Sequence, residues 1–479
     1  LFDKTDIITG VDVKTMSREF TETWPDGTPN DLRQLGVFAD EQYTILGGYA
    51  QVTHQVDERL RLVAAGRLDN FFVYDMAFSP KVGLVYNPDE LTGVRLSYNN
   101  TKTVPTFART FAQSPIGRRR IGRNGNLERH LYGQGRPLTF SNVRSGLILG
   151  NTLGTLYDGI DAPLQLILDD IIANADLPVI QSLLGLQVAG TATGNLFSLE
   201  NPENAVRITS PEQLNNPKAG FETTTSLELG YQIYVEDKFS INLDLHYNTE
   251  RNVPTAAIAI SPGVTLPVVG SQLERSLLDA GVSPDLAKAV GTLAQENYGN
   301  DIAAIVQSDQ HQRLGITDGI NYGYRGYGEI NYFGLDLGAE YNASDRVTFF
   351  FNGSLLSNTE FSSQDIDEDP ELNRRYFLNV PGTQLRPGVF LHPGEEGGFY
   401  GSLAVQYRSS SQANFGDFTG ELPATTTVDA SIGYQLGNGL SFNLSGTNLT
   451  GAEYRGLPYL PVQGRFLTGA VRFELAGRP

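Results

Sequence analysis

Residues 464–475 read GRFLTGAVRFEL. Counted by twos from Leu467, they give Leu467, Gly469, Val471, Phe473 and Leu475; counted from Phe466, they give Phe466, Thr468, Ala470, Arg472 and Glu474. Successive side chains of a strand point to opposite faces, so one face of this segment is apolar and the other ends charged. The same period of two runs through FSINLDLHYN (239–248), FGLDLGAEY (333–341), FYGSLAVQYR (399–408), TVDASIGYQL (427–436) and GLSFNLSGTNL (439–449). These runs are long for the strands of a soluble sandwich, which average about 5–6 residues, and match the roughly 9–11 residues of a tilted strand that crosses a bilayer.

The connections alternate in length. VDER (56–59), NPDE (87–90), VEDK (235–238), ASDR (343–346), GEEGG (394–398) and GNG (437–439) are short and polar. Between them lie long links at 15–42, 101–219, 253–323, 361–384, 410–423 and 450–463, with a modest one at 72–77. Taking the first strand near 5–14, we count about fourteen strands, with short turns on one side and long loops on the other. The expected fold is all-β: a transmembrane antiparallel barrel, closed because lipid cannot pair a free sheet edge. The dry face of 464–475 would then touch lipid and its wet face the lumen, with Tyr98, Tyr247 and Tyr407 as interfacial girdle residues. The expected organisation is one barrel domain over 1–479 with large loop insertions at 101–219 and 253–323.

Composition agrees. The chain has 479 residues, 52 Gly, 22 Tyr and 25 Phe, as strands with tight turns require. Apolar residues make up 40% and mean hydropathy is -0.22, and no apolar run is long enough for a spanning helix. The net charge of -19 argues against nucleic acid as a partner. With no Cys there is neither a disulfide framework nor a thiolate metal site. The chain does not open with Met or a signal peptide, which suggests a mature form or a fragment. Three loop segments carry helical spacing: 162–175, 271–281, and 283–297 with Ser283 as N-cap and Pro284 at the first helical position. They are expected to pack the loops over the barrel mouth, or to offer a docking face to a surface partner.

Several segments together resemble TonB-dependent outer-membrane receptors. LRLVAAGRLDNF (60–71), FSPKVGLVYNP (78–88) and VRLSYNNTKTVPTFARTF (94–111) are similar to successive strands of that family, and GTNLTGAEYRG (446–456) followed by GRFLTGAVRFEL is similar to its ending. Thr450 stands where the family often has Phe, and the chain runs on past its last strand as AGRP (476–479). Residues 112–325 share only the architecture. The family has an N-terminal plug, a TonB-contacting box and about 22 strands. The resemblance therefore implies the C-terminal barrel portion of a receptor, with plug and first strands missing, in the outer membrane of a Gram-negative bacterium. It implies TonB-dependent import of a scarce nutrient (ferric siderophore, cobalamin or oligosaccharide). The implied partners are outer-membrane lipid and lipopolysaccharide, the receptor's own plug, the TonB complex, and a surface lipoprotein as in the oligosaccharide-importing branch. A passive porin of about fourteen strands and an adhesive barrel are the alternatives.

Enzyme chemistry is not expected. The five histidines (54, 130, 246, 311, 392) form no zinc spacing, no nucleophile or phosphate-loop motif is present, and no cofactor is implied. A barrel phospholipase would need a lipid-facing Ser beside a His, whereas His246 is predicted to face the lumen. Three sets of residues are candidates for binding. The basic run 114–136 (Arg118, Arg119, Arg120, Arg123, Arg129, Arg136) suits an anionic ligand or lipopolysaccharide phosphate. Alternate acids Asp365, Asp367 and Asp369 offer oxygens to Ca²⁺, without the Gly and distal Glu of an EF-hand. The predicted lumen ions Arg61, Arg95, Glu228, Asp244, Asp336, Glu340, Arg408, Asp429 and Arg472 would face a plug or tune a pore.

Overall fold

The computed structural model describes residues 4–18, 41–71, 74–106, 109–110, 113–121, 125–133, 135, 137–140, 147–149, 153–156, 162–200, 206–217, 220–236, 238–254, 257–299, 301–313, 319–362, 365, 375–394, 397–415, 418–436 and 439–473. Fourteen strands form one antiparallel sheet in strict chain order. They are β1 (Thr5–Arg18), β2 (Glu41–Gln55), β3 (Leu60–Asn70), β4 (Met76–Tyr86), β5 (Thr92–Thr103), β6 (Glu222–Val235) and β7 (Phe239–Pro254). Then follow β8 (Gly326–Ser344), β9 (Val347–Leu356), β10 (Thr383–Leu391), β11 (Gly398–Arg408), β12 (Thr425–Gln435), β13 (Leu440–Thr447) and β14 (Phe466–Phe473). Among the described residues β1 and β14 do not pair with each other, so these fourteen strands leave two sheet edges, as expected of part of a larger barrel.

Short polar turns make the tight links. In the turn after β2, one Asp57 oxygen accepts from the backbone N–H of Arg59 and of Leu60 (2.8 and 2.9 Å). Those two bonds hold its carboxyl below the ordinary range.

The outer face is layered by register. Leu62, Leu84, Leu96, Leu229, Leu245, Leu335 and Leu355 are successive cross-strand partners, a belt of leucines over β3–β9. Two residues above it lie Tyr98, Leu227, Tyr247 and Phe333, and above those Asn100, Thr225, Thr249 and Asn331. Below the belt, Phe239, Tyr341 and Phe349 form a lower aromatic row. From Tyr247 to Phe239 the strand rises about 27 Å, or about 20 Å along the normal at the usual tilt, close to the apolar band of an outer-membrane barrel. Large apolar side chains are exposed along this face, Val11 at 85% and Val471 at 69% among them. In water such exposure would be costly; against lipid it is the stable arrangement.

The largest core lies in the loops. The β5–β6 and β7–β8 connections fold into one cap. Its three longest helices are α1 (Leu164–Asn174), α2 (Val269–Asp279) and α3 (Pro284–Ala294), as the spacing predicted, although the Ser283 side chain makes no capping bond. The two loops interleave. Residues 195–197 pair with 263–265, 304–306 with 147–149, and 319–323 run parallel to 128–132. Leu164, Ile167 and Leu168 of α1 share a fully buried cluster with Leu273, Leu277 and Val290. Gly270 and Gly291 let α2 and α3 touch, since a Cβ on either would meet the other's carbonyl oxygen at 2.6–2.7 Å.

Candidate functional site: the lumen wall and the cap

The register fixes which side chains share the face opposite the leucine belt. Arg61, Val85, Arg95, Gly230, Asp244, Asp336, Ser354, Gln384 and Arg408 are successive partners, so five predicted ions lie in one row over β3–β11. Glu228 sits one row up, opposite His246. Glu340 and Asp429 share a lower row, joined through Phe350, Gly388 and Ala404. Arg472 pairs with Ser441 at the β13–β14 end.

Not all of these are brought into contact. Arg95 bridges Asp244 (3.0 Å) and reaches Glu228 at 3.9 Å, and Glu228 accepts from Ser97 and Ser226 (3.3 and 3.2 Å). Asp244 and Asp336 stand directly opposite, a like-charge pair that Arg95 relieves on one side and His246 on the other. His246 Nε2 lies 3.5 Å from Asp336, and its Nδ1 is 2.7 Å from the Asn248 amide nitrogen. With Asn248 donating to Nδ1, the proton belongs on Nε2, pointing at Asp336. The ring lies across Gly334, where any Cβ would collide with it. Asp429 accepts the backbone N–H of Asn448 (2.9 Å) and so ties down the turn after β13. Asp244, Asp336 and Gln384 of the row, with Asn242, Asn352 and Arg386 of the row below, line a polar recess of about 360 Å³.

The tightest lumen cluster escaped the sequence reading. Arg67 makes two bonds to Asp12 (2.9 and 3.1 Å) and two to Asp69 (2.6 and 2.8 Å). It bridges β1 and β3 across Gly47, where a Cβ would strike both Arg67 and Asp69. Arg67 and Asp69 follow Arg61 by six and eight residues on the same strand, so the period that selected Arg61 selects them too.

The other candidates are distributed differently. Arg118 is exposed on the hairpin 113–132, opposite Glu128. Arg119 and Arg120 lie in the same strand, opposite Leu127 and Asn126. Arg129 turns inward, its guanidinium 5.6 Å from the Tyr322 ring, a packing position. Arg123 and Arg136 lie outside the described residues, as do Asp367 and Asp369. Asp365 accepts from the Ser362 N–H and hydroxyl (2.8 and 2.6 Å), which holds its carboxyl below the ordinary range and closes a turn. No group of three or more metal-type side chains occurs among the described residues.

Two polar clusters inside the cap also went unread. Arg325 of the second loop meets Glu200 of the first at 2.8 Å, with side chains only 9% and 5% exposed, and donates to the Leu214 carbonyl (2.7 Å). His311 is buried among Gln307, Asn321 and His130: its Nδ1 is 2.8 Å from Gln307 and its Nε2 3.0 Å from Asn321. Burial and the neighbouring His130 push its pKa down to about 3. A single His at 130 or 311 carries no periodic signal, and the partners are drawn from both loops.

A family model described as TonB dependent receptor-like, beta-barrel, matches residues 5–159 and 177–449. No curated protein matches the chain. Among solved structures it is similar to a mutant of the ferric enterobactin receptor PfeA from Pseudomonas aeruginosa, at 11% identity and a TM-score of 0.52, covering 98% of this chain and 51% of that one. It is similar also to the siderophore receptor PirA from Acinetobacter baumannii, at 9% identity and a TM-score of 0.51, covering 98% and 52%. The chain spans about half the length of these structures, and at such identities they speak for the fold alone. TonB-dependent receptors are transporters rather than enzymes, in line with a sequence that shows no catalytic motif. The family model covers most of the chain, and the fourteen-strand meander with its layered outer face agrees with it: the chain belongs to the TonB-dependent receptors, in the β-barrel part of that family.

Proposed function

We propose that this domain forms the wall and the ligand-facing mouth of a receptor in the outer membrane of a Gram-negative bacterium. The whole receptor would import a scarce nutrient with energy delivered through TonB. The observation that carries the reading is a wall whose inner register rows carry ions of both signs, joined to a folded cap, on a chain whose family transports. A ferric siderophore is the first substrate class to test, because both similar structures are named for siderophore receptors; cobalamin and oligosaccharides follow. Arg118, exposed on its hairpin, is the candidate contact for an anionic ligand, and the ion-bearing inner row is the candidate contact for the plug. A fourteen-strand passive pore would require β1 to pair with β14, a pairing that is not made among the described residues.

Deleting the gene in its host and measuring uptake of iron-55-labelled siderophores tests this. The expected result is loss of a saturable uptake that an uncoupler also abolishes. Unchanged uptake overturns the siderophore reading. Flux through the intact protein that neither saturates nor responds to the uncoupler makes it a passive channel instead.

A further inference from the structure

We propose that the first tether of the cap is a catch: it ties the cap to strands outside the arc that carries it and so holds the cap at one tilt. The cap joins the wall through β5, β6, β7 and β8. The tether that leaves β5 is described at residues 104–106 and 109–110. It leans sideways before it enters the cap. Val104 packs against Tyr43, Ile45, Phe71 and Tyr74, which belong to β2 and to the β3–β4 link. Pro105 and Thr110 are buried.

Thr110 is bonded to both bodies. Its N–H donates to the Thr106 carbonyl (2.9 Å) and its hydroxyl to the Pro105 carbonyl (3.2 Å). With that proton committed, the Thr110 hydroxyl accepts from the Tyr74 phenol of the wall link, 3.2 Å away. Thr110 and Tyr74 are 1% and 8% exposed, and burial raises the Tyr74 pKa, which keeps the phenol a donor. On its other side, the Thr110 carbonyl accepts the N–H of Gly135 in the cap (2.9 Å), where a Cβ would meet that oxygen at 2.8 Å.

The four tethers are also tied to one another. The Arg109 guanidinium lies 5.5 Å from the Tyr324 ring, in the tether that enters β8. Asn216, in the tether that enters β6, donates to the Tyr324 carbonyl (3.1 Å). Asn252, near the upper end of β7, donates to the Phe221 carbonyl (3.0 Å). The Phe221 ring in turn faces Phe71 and Tyr74 at 5.5 and 6.0 Å. The tethers thus form a collar, and the collar meets the wall off its own arc at Phe71 and Tyr74. A tilt that carries the cap away from β2–β4 has to lift Val104, Thr110 and Phe221 from these two residues. It strands a buried donor and a buried acceptor, a cost that opposes the motion.

The chain has no Cys, so spin labels can be placed by single substitutions. Double electron–electron resonance would be read on the full chain folded in detergent micelles. Labels at Lys288→Cys on α3 and Val405→Cys on the outer face of β11 report the cap against the wall. Labels at Lys288→Cys and Ala173→Cys on α1 report a distance within the cap. The parent should give one narrow distribution for each pair. Tyr74→Ala, which removes both bond and ring, should about double the width of the cap-to-wall distribution. Tyr74→Phe/Thr110→Val replaces both hydrogen-bond partners by apolar groups of similar shape and should widen it less. In both, the distribution within the cap should match the parent. Variants are compared only where heat-modifiable gel mobility shows a folded wall. Parent-like cap-to-wall distributions in every folded variant overturn the catch, as does a parent whose distribution is already broad. A distribution within the cap that widens as well makes this tether part of the cap's own fold and overturns the catch too.

Discussion

The wall and the cap solve the same problem in opposite directions. In the wall, large apolar side chains point outward, as Val11, Phe333 and Phe473 do at 85, 64 and 61% exposure. The charges point inward, as in the Arg67–Asp12–Asp69 and Arg95–Asp244 clusters. In the cap, Ile167, Leu273 and Val290 are fully buried, as in a protein surrounded by water. One chain therefore carries two hydrophobic codes, a period of two read against lipid and a period near 3.6 read against its own interior. The solvent on each side of the backbone decides which code a segment follows.

Removing one charge from inside the cap should have the largest effect. Glu200→Gln strands Arg325 in a buried site, and breaking such a pair costs about 3–5 kcal/mol. The cap should become cleavable by protease at far lower concentration, while heat-modifiable gel mobility of the wall stays as before.

Truncating the same residue type in both regions sharpens the contrast. Leu273→Ala in the cap should cost about 2–5 kcal/mol, because a cavity remains. Leu62→Ala in the leucine belt should cost much less, since lipid refills the space. Leu62→Arg should restore a penalty of about 2–4 kcal/mol if the belt lies near the midplane. Urea titrations of the chain folded into vesicles measure all three, and equal costs for the two alanine variants would erase the distinction drawn here between wall and cap.

Acid should separate the regions more gently. The neutral His311 sits at a folded pKa of about 3, below the 6.5 it regains on unfolding, so the unfolded cap takes up the extra proton. The stability is fully present above about pH 6.5 and is lost as pH falls toward about 3, by at most about 1.4 kcal/mol per unit. Protease cleavage within 257–299 should accelerate through that window, and His311→Gln should flatten the response.

The wall was legible because its information is local. Alternation marked six of the strands, the rhythm of short and long links gave the count of fourteen, and the shared face of Asp244 and Asp336 followed from parity alone. Register was not legible, so the Arg67 cluster was missed although its residues obey the same parity as Arg61. The cap hid for a different reason. Its helices show a periodic stripe, but their partners lie about a hundred residues away in another loop, and no local period announces that α1 packs against α2 and α3. Arg129 looked like part of a ligand cluster because composition says nothing about which way a strand faces; Tyr322 takes its guanidinium.

The interleaving of the two loops has a mechanical meaning. Strands from both loops are woven into shared sheets, so neither loop can swing away alone without breaking main-chain hydrogen bonds. The four points where chain passes between cap and wall all lie on consecutive strands, β5, β6, β7 and β8. A body held by four tethers on one arc of a rim has a single easy motion, a tilt about that arc. For this cap, a tilt of the whole body about that arc would keep the shared sheets intact, which a separate swing of either loop would not.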